Sequence, residues 1–153
     1  MDATTETFVV ERELEIAAAP EQVWELLTDP DHVTRWMGQW ASFDLRPGGE
    51  YRVGVQPGSV AQGEFVEIDP PRRLAYTFGW EAGTQSVVAP GSSVVEFELV
   101  PHGDGTLLRF THRGLPNAEE TESHTHGWTH YLGRLAVVAA GGDPGADPFL
   151  DAK

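Results

Sequence analysis

Cysteine is absent from the 153 residues. Disulfides, thiolate catalysis and cysteine-ligated metals go with it. Basic residues are also scarce: ten Lys and Arg stand against 24 Asp and Glu, a formal charge of −14. The only lysine is Lys153, and Arg72-Arg73 is the only adjacent basic pair. Such a chain is repelled by phosphate backbones and anionic membrane surfaces, so nucleic acid is not expected as a partner. Long apolar runs are missing too. The longest, Leu135 to Ala140, falls far short of the ~20 residues a membrane-spanning helix needs, so no membrane insertion is expected. Met1 to Glu6 is polar and acidic, unlike a secretory leader, and the expected location is the cytoplasm. There is no glycine-rich phosphate loop and no Gly-x-Ser-x-Gly elbow, so spacing alone marks no reaction and calls for no cofactor.

What is present is a packable chain, with 40% hydrophobic residues and 10% aromatics. Its length fits one domain, here residues 7–142, with 143–153 an irregular tail that Phe149 could pin. Phe8 to Ala17 alternates apolar residues with Glu11, Glu13 and Glu15, the pattern of a half-buried strand. Pro20 and Glu21 open a short helix through Thr28. Asp29 then caps a second, carrying Val33, Trp36 and Met37. Six strand-like segments follow: 41–46, 50–56, 59–68, 72–81, 92–100 and 106–113, separated by turn signals such as Pro47-Gly48-Gly49. The connections are mostly of hairpin size, so the pairing is antiparallel. A looser loop runs from Ala82 to Gly91. Asn117, with Glu120 three residues on, starts a long helix that Gly141-Gly142 ends. Its inner stripe is Trp128, Tyr131, Leu132, Leu135 and Ala139. The class is α+β: a curved antiparallel sheet of about seven strands, two short helices after the first, and a long C-terminal helix enclosing a cavity.

Within that frame the cavity lining is expected from Trp36, Trp40, Tyr76, Phe78, Trp80, Trp128 and Tyr131. Tyr76, Phe78 and Trp80 share one face of a strand at period two. Trp24 and Trp36 lie on apolar helix faces, where core packing is the commoner role. Gly127 would allow the last helix to approach the sheet closely or to bend. His112 is in phase with Leu108 and Phe110, and His124 sits one turn before Trp128. Both therefore point inward, as polar contacts to a ligand or as candidate catalytic acid or base groups. A histidine on an apolar face is more often a satisfied core group. Arg12 interrupts the inner phase of the first strand, so it sits at an open end, pairs with an acid, or meets an anionic ligand group. Glu122, His126 and His130 follow one helical face. Glu122 and His130 stand about 12 Å apart along the axis, too far to hold one ion together. That face reads as solvated, and no metal site is expected.

Several local patterns resemble a known family. Ile16-Ala17-Ala18-Ala19-Pro20-Glu21-Gln22-Val23-Trp24 and Thr28-Asp29-Pro30 look like the opening of the START-like, or SRPBCC, superfamily. Arg35-Trp36-Met37, Pro47-Gly48-Gly49, the run from Gly63 to Leu74, and Gly127-Trp128 resemble its branch related to the activator of Hsp90 ATPase (AHSA1-like). No single motif is specific; their order and spacing across roughly Glu11 to Ala140 are. The resemblance implies the helix-grip (START/Bet v 1-like) fold and binding of a small hydrophobic molecule. A minority of the superfamily catalyses cyclisation or hydrolysis, so an enzyme of cyclase, dehydratase or hydrolase type on the same cavity is the alternative. No family-wide catalytic set transfers. An Hsp90-cochaperone-like interaction module is the third reading. The eukaryotic cochaperone is a longer multidomain protein, which argues against a chaperone partner. Exposed strand faces leave room for a homodimer without dictating one.

Overall fold

A computed structural model of the chain describes residues 8–81 and 88–147. The expected Phe149 anchor and most of the 82–91 loop lie outside those residues. The elements run β1 (Val10–Ile16), α1 (Pro20–Thr28), α2 (Pro30–Val33), β2 (Trp40–Phe43), β3 (Glu50–Gln56), β4 (Ser59–Asp69), β5 (Arg73–Trp80), β6 (Ser93–His102), β7 (Gly105–Arg113) and α3 (Ala118–Ala139).

All seven strands form one antiparallel sheet ordered β1-β7-β6-β5-β4-β3-β2. Strands β2 to β7 pair with their sequence neighbours, as hairpin-sized connections require. β1 closes on β7, setting Leu14 opposite Leu108 and Val10 opposite His112. Helices α1 and α2 bridge the two sheet edges, and α3 lies over the concave face. This is the helix-grip arrangement.

Local chemistry accounts for the helix ends. Pro20 starts α1, where its missing N–H costs nothing, and the Gln22 side chain accepts from the backbone N–H of Ala19. The Asp29 carboxylate accepts from the Asp31 N–H to start α2, and Asn117 accepts from the Glu120 N–H at 2.8 Å to start α3. Gly141, at φ 88°, takes the left-handed conformation that ends α3. Helix α2 is shorter than the pattern suggests. Trp36 and Met37 follow it in a turn, where the Trp36 indole N–H donates to the Leu26 carbonyl at 2.8 Å. Gly127 neither permits nor needs a close approach, since a Cβ there would meet nothing within 4 Å.

On the outer face, acids and arginines alternate into ion pairs. Arg109 meets Glu13, and Arg73 and Arg113 both reach Glu96. Hydrogen bonds from Arg113, first, and the nearby charges hold the Glu96 carboxyl below its usual range. No helix among the described residues is long and apolar enough to cross a membrane.

Candidate functional site

The period-two row on β5 points inward as expected. Tyr76 and Phe78 are buried and Trp80 is partly buried, facing rings from β6, β7 and α3. Trp128 is the hub, with ring centroids 4.6 Å from Phe110, 6.0 Å from Phe78 and 6.3 Å from Phe97. These rings meet at tilted and edge-on angles, the packing their quadrupoles favour. Under α3 these side chains pack directly on one another.

His112 and His124 both sit in that cluster, 5.3 Å apart. Each is held by an indole. Trp128 Nε1 donates to His112 Nδ1 at 3.0 Å, so that nitrogen carries no proton. His112 Nε2–H then donates to Ser93 Oγ at 2.8 Å, and the Ser93 hydroxyl donates to the Phe78 carbonyl at 2.7 Å. Trp80 Nε1 donates to His124 Nε2 at 3.0 Å, leaving His124 Nδ1–H for the Glu120 carbonyl at 2.7 Å. Burial, and secondarily the neighbouring His124, push the His112 pKa down to about 3. The four ring nitrogens are all engaged by protein groups. An imidazole acting as a general base needs one nitrogen turned to substrate. Neither histidine offers one here; both are polar fasteners between the sheet and α3.

Beside this cluster the described residues enclose a void. It is partly open and lined by Leu27, Val33, Trp36, Met37, Phe43, Tyr51, Tyr76 and Phe97. Its empty volume is about 190 Å³, mouth included, but the centre of a water-sized sphere can reach only about 10 Å³ of it. That is room for about one water. Its polar groups are mainly two phenols. Tyr51 stacks on Tyr76 with centroids 4.0 Å apart, and the Tyr76 hydroxyl donates to the Tyr51 oxygen at 3.3 Å. Burial raises both phenol pKa values, so both stay protonated.

The expected lining residues are therefore divided. Trp36 and Tyr76 wall the void, whereas Phe78, Trp80, His112, His124 and Trp128 form the filled cluster beside it. Trp40 belongs to neither. Its partner Gly54 shares the outer face with Arg52, and Trp40 keeps 40% of its surface exposed. A Cβ on Gly54 would stand 2.2 Å from the indole, and the Arg52 guanidinium lies 5.1 Å from the ring centroid. The period-two phase of β2, rather than its aromatic character, decides which way Trp40 points. Arg12 takes the open-end alternative. It is exposed on edge strand β1, donating to Thr129 Oγ1 at 3.1 Å and to the Glu11 carbonyl at 2.9 Å.

Tyr131 is buried, but the tail reaches it. His130, expected on a solvated face, donates through Nε2 to Asp147 Oδ1 at 2.8 Å and is partly buried. Burial, then the Asp147 carboxylate, raise the Tyr131 phenol, opposed by the Gln56 side chain. Tyr51, Phe43 and Met37 are site residues that pattern reading passed over. Tyr51 alternates with Val53 and Val55, which was the available signal. Asp147 had none, lying in an aperiodic segment of Pro and Gly.

Comparison with known proteins matches this geometry. Residues 17–140 fit the family described as activator of Hsp90 ATPase homolog 1-like protein. An AHSA1-like protein of Rhizobium etli is 51% identical in solution structure, with a TM-score of 0.76 over 100% of this chain and 95% of that one. An Hsp90 activator of Plasmodium falciparum superposes with a TM-score of 0.70 at 25% identity, over 85% of this chain and 94% of that one. DynU16, from the dynemicin biosynthetic locus, has a TM-score of 0.75 at 25% identity over 89% of this chain and 49% of its own. An uncharacterised protein of Mycobacterium tuberculosis is 31% identical over 91 residues, 56% of this chain. The match spans about half, 54%, of the length of that curated relative. With sheet order, helix placement and 124 consecutive residues in agreement, the chain belongs to the AHSA1-like family.

Proposed function

We propose that the chain binds a small, largely apolar molecule on the concave side of the sheet, entering at the void bounded by Trp36, Met37 and Phe43. The observation that carries this reading is the pairing of an apolar wall with two buried phenol hydroxyls in that void. Apolar burial would supply affinity at roughly 25 cal/mol per Å² before binding costs, and the hydroxyls would orient one polar group. The void is smaller than the ~300 Å³ of an ordinary ligand pocket, so the wall moves on binding. Met37 and the four-residue α2 are the movable part, because an unbranched side chain and a single helical turn yield more easily than a paired strand. DynU16, which comes from a biosynthetic locus, agrees with an organic ligand.

Titration with the fluorescent fatty acid cis-parinaric acid tests the reading. Saturable binding to the wild type and its loss in Met37→Trp, which fills the void, are expected. Equal binding by the two proteins sinks it.

The similarity to a Plasmodium falciparum Hsp90 activator favours a second reading, a chaperone-binding module. Purified Hsp90 retained on the immobilised chain, with its ATPase stimulated, would support that reading. Retention no better than on a blank resin removes it.

A further inference from the structure

Asp147 is an acid in an unusual place. Its carboxylate has 2% side-chain exposure, although every residue from Asp143 to Ala146 around it is exposed or only half-buried. A buried carboxylate needs donors, and α3 presents them on two adjacent residues. His130 Nε2–H reaches Oδ1 at 2.8 Å, and the Tyr131 hydroxyl faces the same carboxylate and Gln56. One turn on, Arg134 holds the segment down by donating to the Trp36 carbonyl at 3.1 Å and to the Pro144 carbonyl at 3.4 Å. The tail thus folds back along α3, from its end to His130, and sets one carboxylate against the helix.

The same ground borders the void. Trp36 lines the void while its carbonyl accepts from Arg134, and β3 carries Tyr51 into the void and Gln56 to Tyr131. We propose that His130, Tyr131 and Gln56 form a carboxylate-recognition site, occupied in this state by the chain's own Asp147, which a ligand carboxylate displaces. The ligand class is an apolar acid, with its carboxylate at His130 and Tyr131 and its apolar body toward Trp36 and Tyr51. The placement of the apolar body rests on the pocket reading above; the carboxylate site does not. Displacement has a simple balance. The incoming carboxylate takes over the His130 and Tyr131 donors, and Asp147 leaves for water with its tail, which removes the Pro144 contact that closes the margin beside Trp36. The tail competes as a tethered ligand, so removing its carboxylate raises the apparent affinity for an external one.

Two measurements test this separately. In Asp147→Ala, sodium acetate at matched ionic strength should raise the melting temperature relative to chloride. No such rise should appear in the wild type or in Asp147→Ala/His130→Ala. Asp147→Asn, which keeps the side-chain size, should respond less than Asp147→Ala. Acetate acting alike on all of these proteins, or on none, overturns the carboxylate site. The second measurement is the affinity for cis-parinaric acid and its methyl ester. Asp147→Ala should bind the acid about tenfold tighter than the wild type, the worth of one hydrogen bond to a charged group, with little gain for the ester. Equal gains for acid and ester would reduce the tail to a steric cover and overturn the competition. Acetate stabilisation without any parinaric acid binding would keep the carboxylate site and defeat the apolar pocket instead.

Discussion

Trp128 gives its indole N–H to His112 Nδ1 at 3.0 Å, fastening the middle of α3 to strand β7 through a neutral imidazole. The contact works only while Nδ1 is unprotonated, and the depressed His112 pKa keeps it so. Protons therefore act through the unfolded chain. An unfolded histidine titrates near 6.5 and the folded one at about 3, so the unfolded state binds the extra proton between those values. The stabilisation is complete above pH 6.5 and is lost as pH falls toward 3, by roughly 5 kcal/mol at most. His124 and its Glu120 partner are the other titratable groups at this contact. Urea unfolding between pH 7 and pH 4 should show falling stability in the wild type and a flatter profile in His112→Gln. Parallel profiles would place the acid sensitivity elsewhere.

Trp40 lies against the bare backbone of Gly54, and that close approach defines the second prediction. Gly54→Ala puts a methyl group into the indole and should cost about 1–3 kcal/mol, the usual range for overpacking. In a Trp40→Ala background the same change should cost little, because the obstructed ring is gone. A penalty of equal size in both backgrounds would mean that strand geometry, rather than the ring, excludes the methyl group.

These two contacts also mark how far the sequence could be read. Alternation placed His112 and the β5 aromatics inward because a strand has a strict period of two and one buried face. The same rule, applied to a four-residue edge strand, leaves too little pattern to phase Trp40, and its aromatic character pulled the expectation to the wrong face. Arg12 was in phase and still exposed, because β1 is an edge where a long side chain reaches water past α3. The His130–Asp147 contact joins residues seventeen apart across the end of α3 and an aperiodic tail, so only the folded backbone brings them together. Neutral, fully engaged histidines were similarly beyond the pattern, which gives phase but no partners.

Tyr76 and Tyr51 present the third prediction. Each hydroxyl is buried beside the other, so removing one leaves its partner short of a polar neighbour. Tyr76→Phe and Tyr51→Phe should each cost about 1–2 kcal/mol, and the double variant less than their sum. Strictly additive losses in denaturant melts would show that the hydroxyls do not depend on one another.

The outer face supplies the last prediction. Glu96 receives hydrogen bonds from Arg73, Thr111 and Arg113 on two neighbouring strands, which holds its carboxyl below the usual range. For a carboxylate with a lowered folded pKa, the stabilisation is present above its unfolded value and is lost as pH falls through the folded one. Its window is thus more acidic than that of His112, and the two variants separate the two effects. Glu96→Gln should lower stability at pH 7 by weakening charge-assisted bonds, with a flatter profile below about pH 4.5, the unfolded carboxyl range. It should leave the slope between pH 6.5 and 4.5 intact, since that interval lies above the unfolded carboxyl range. A Glu96→Gln profile flattened across the upper interval would assign the histidine window to the outer ion pairs and remove the neutral His112 fastener as its cause.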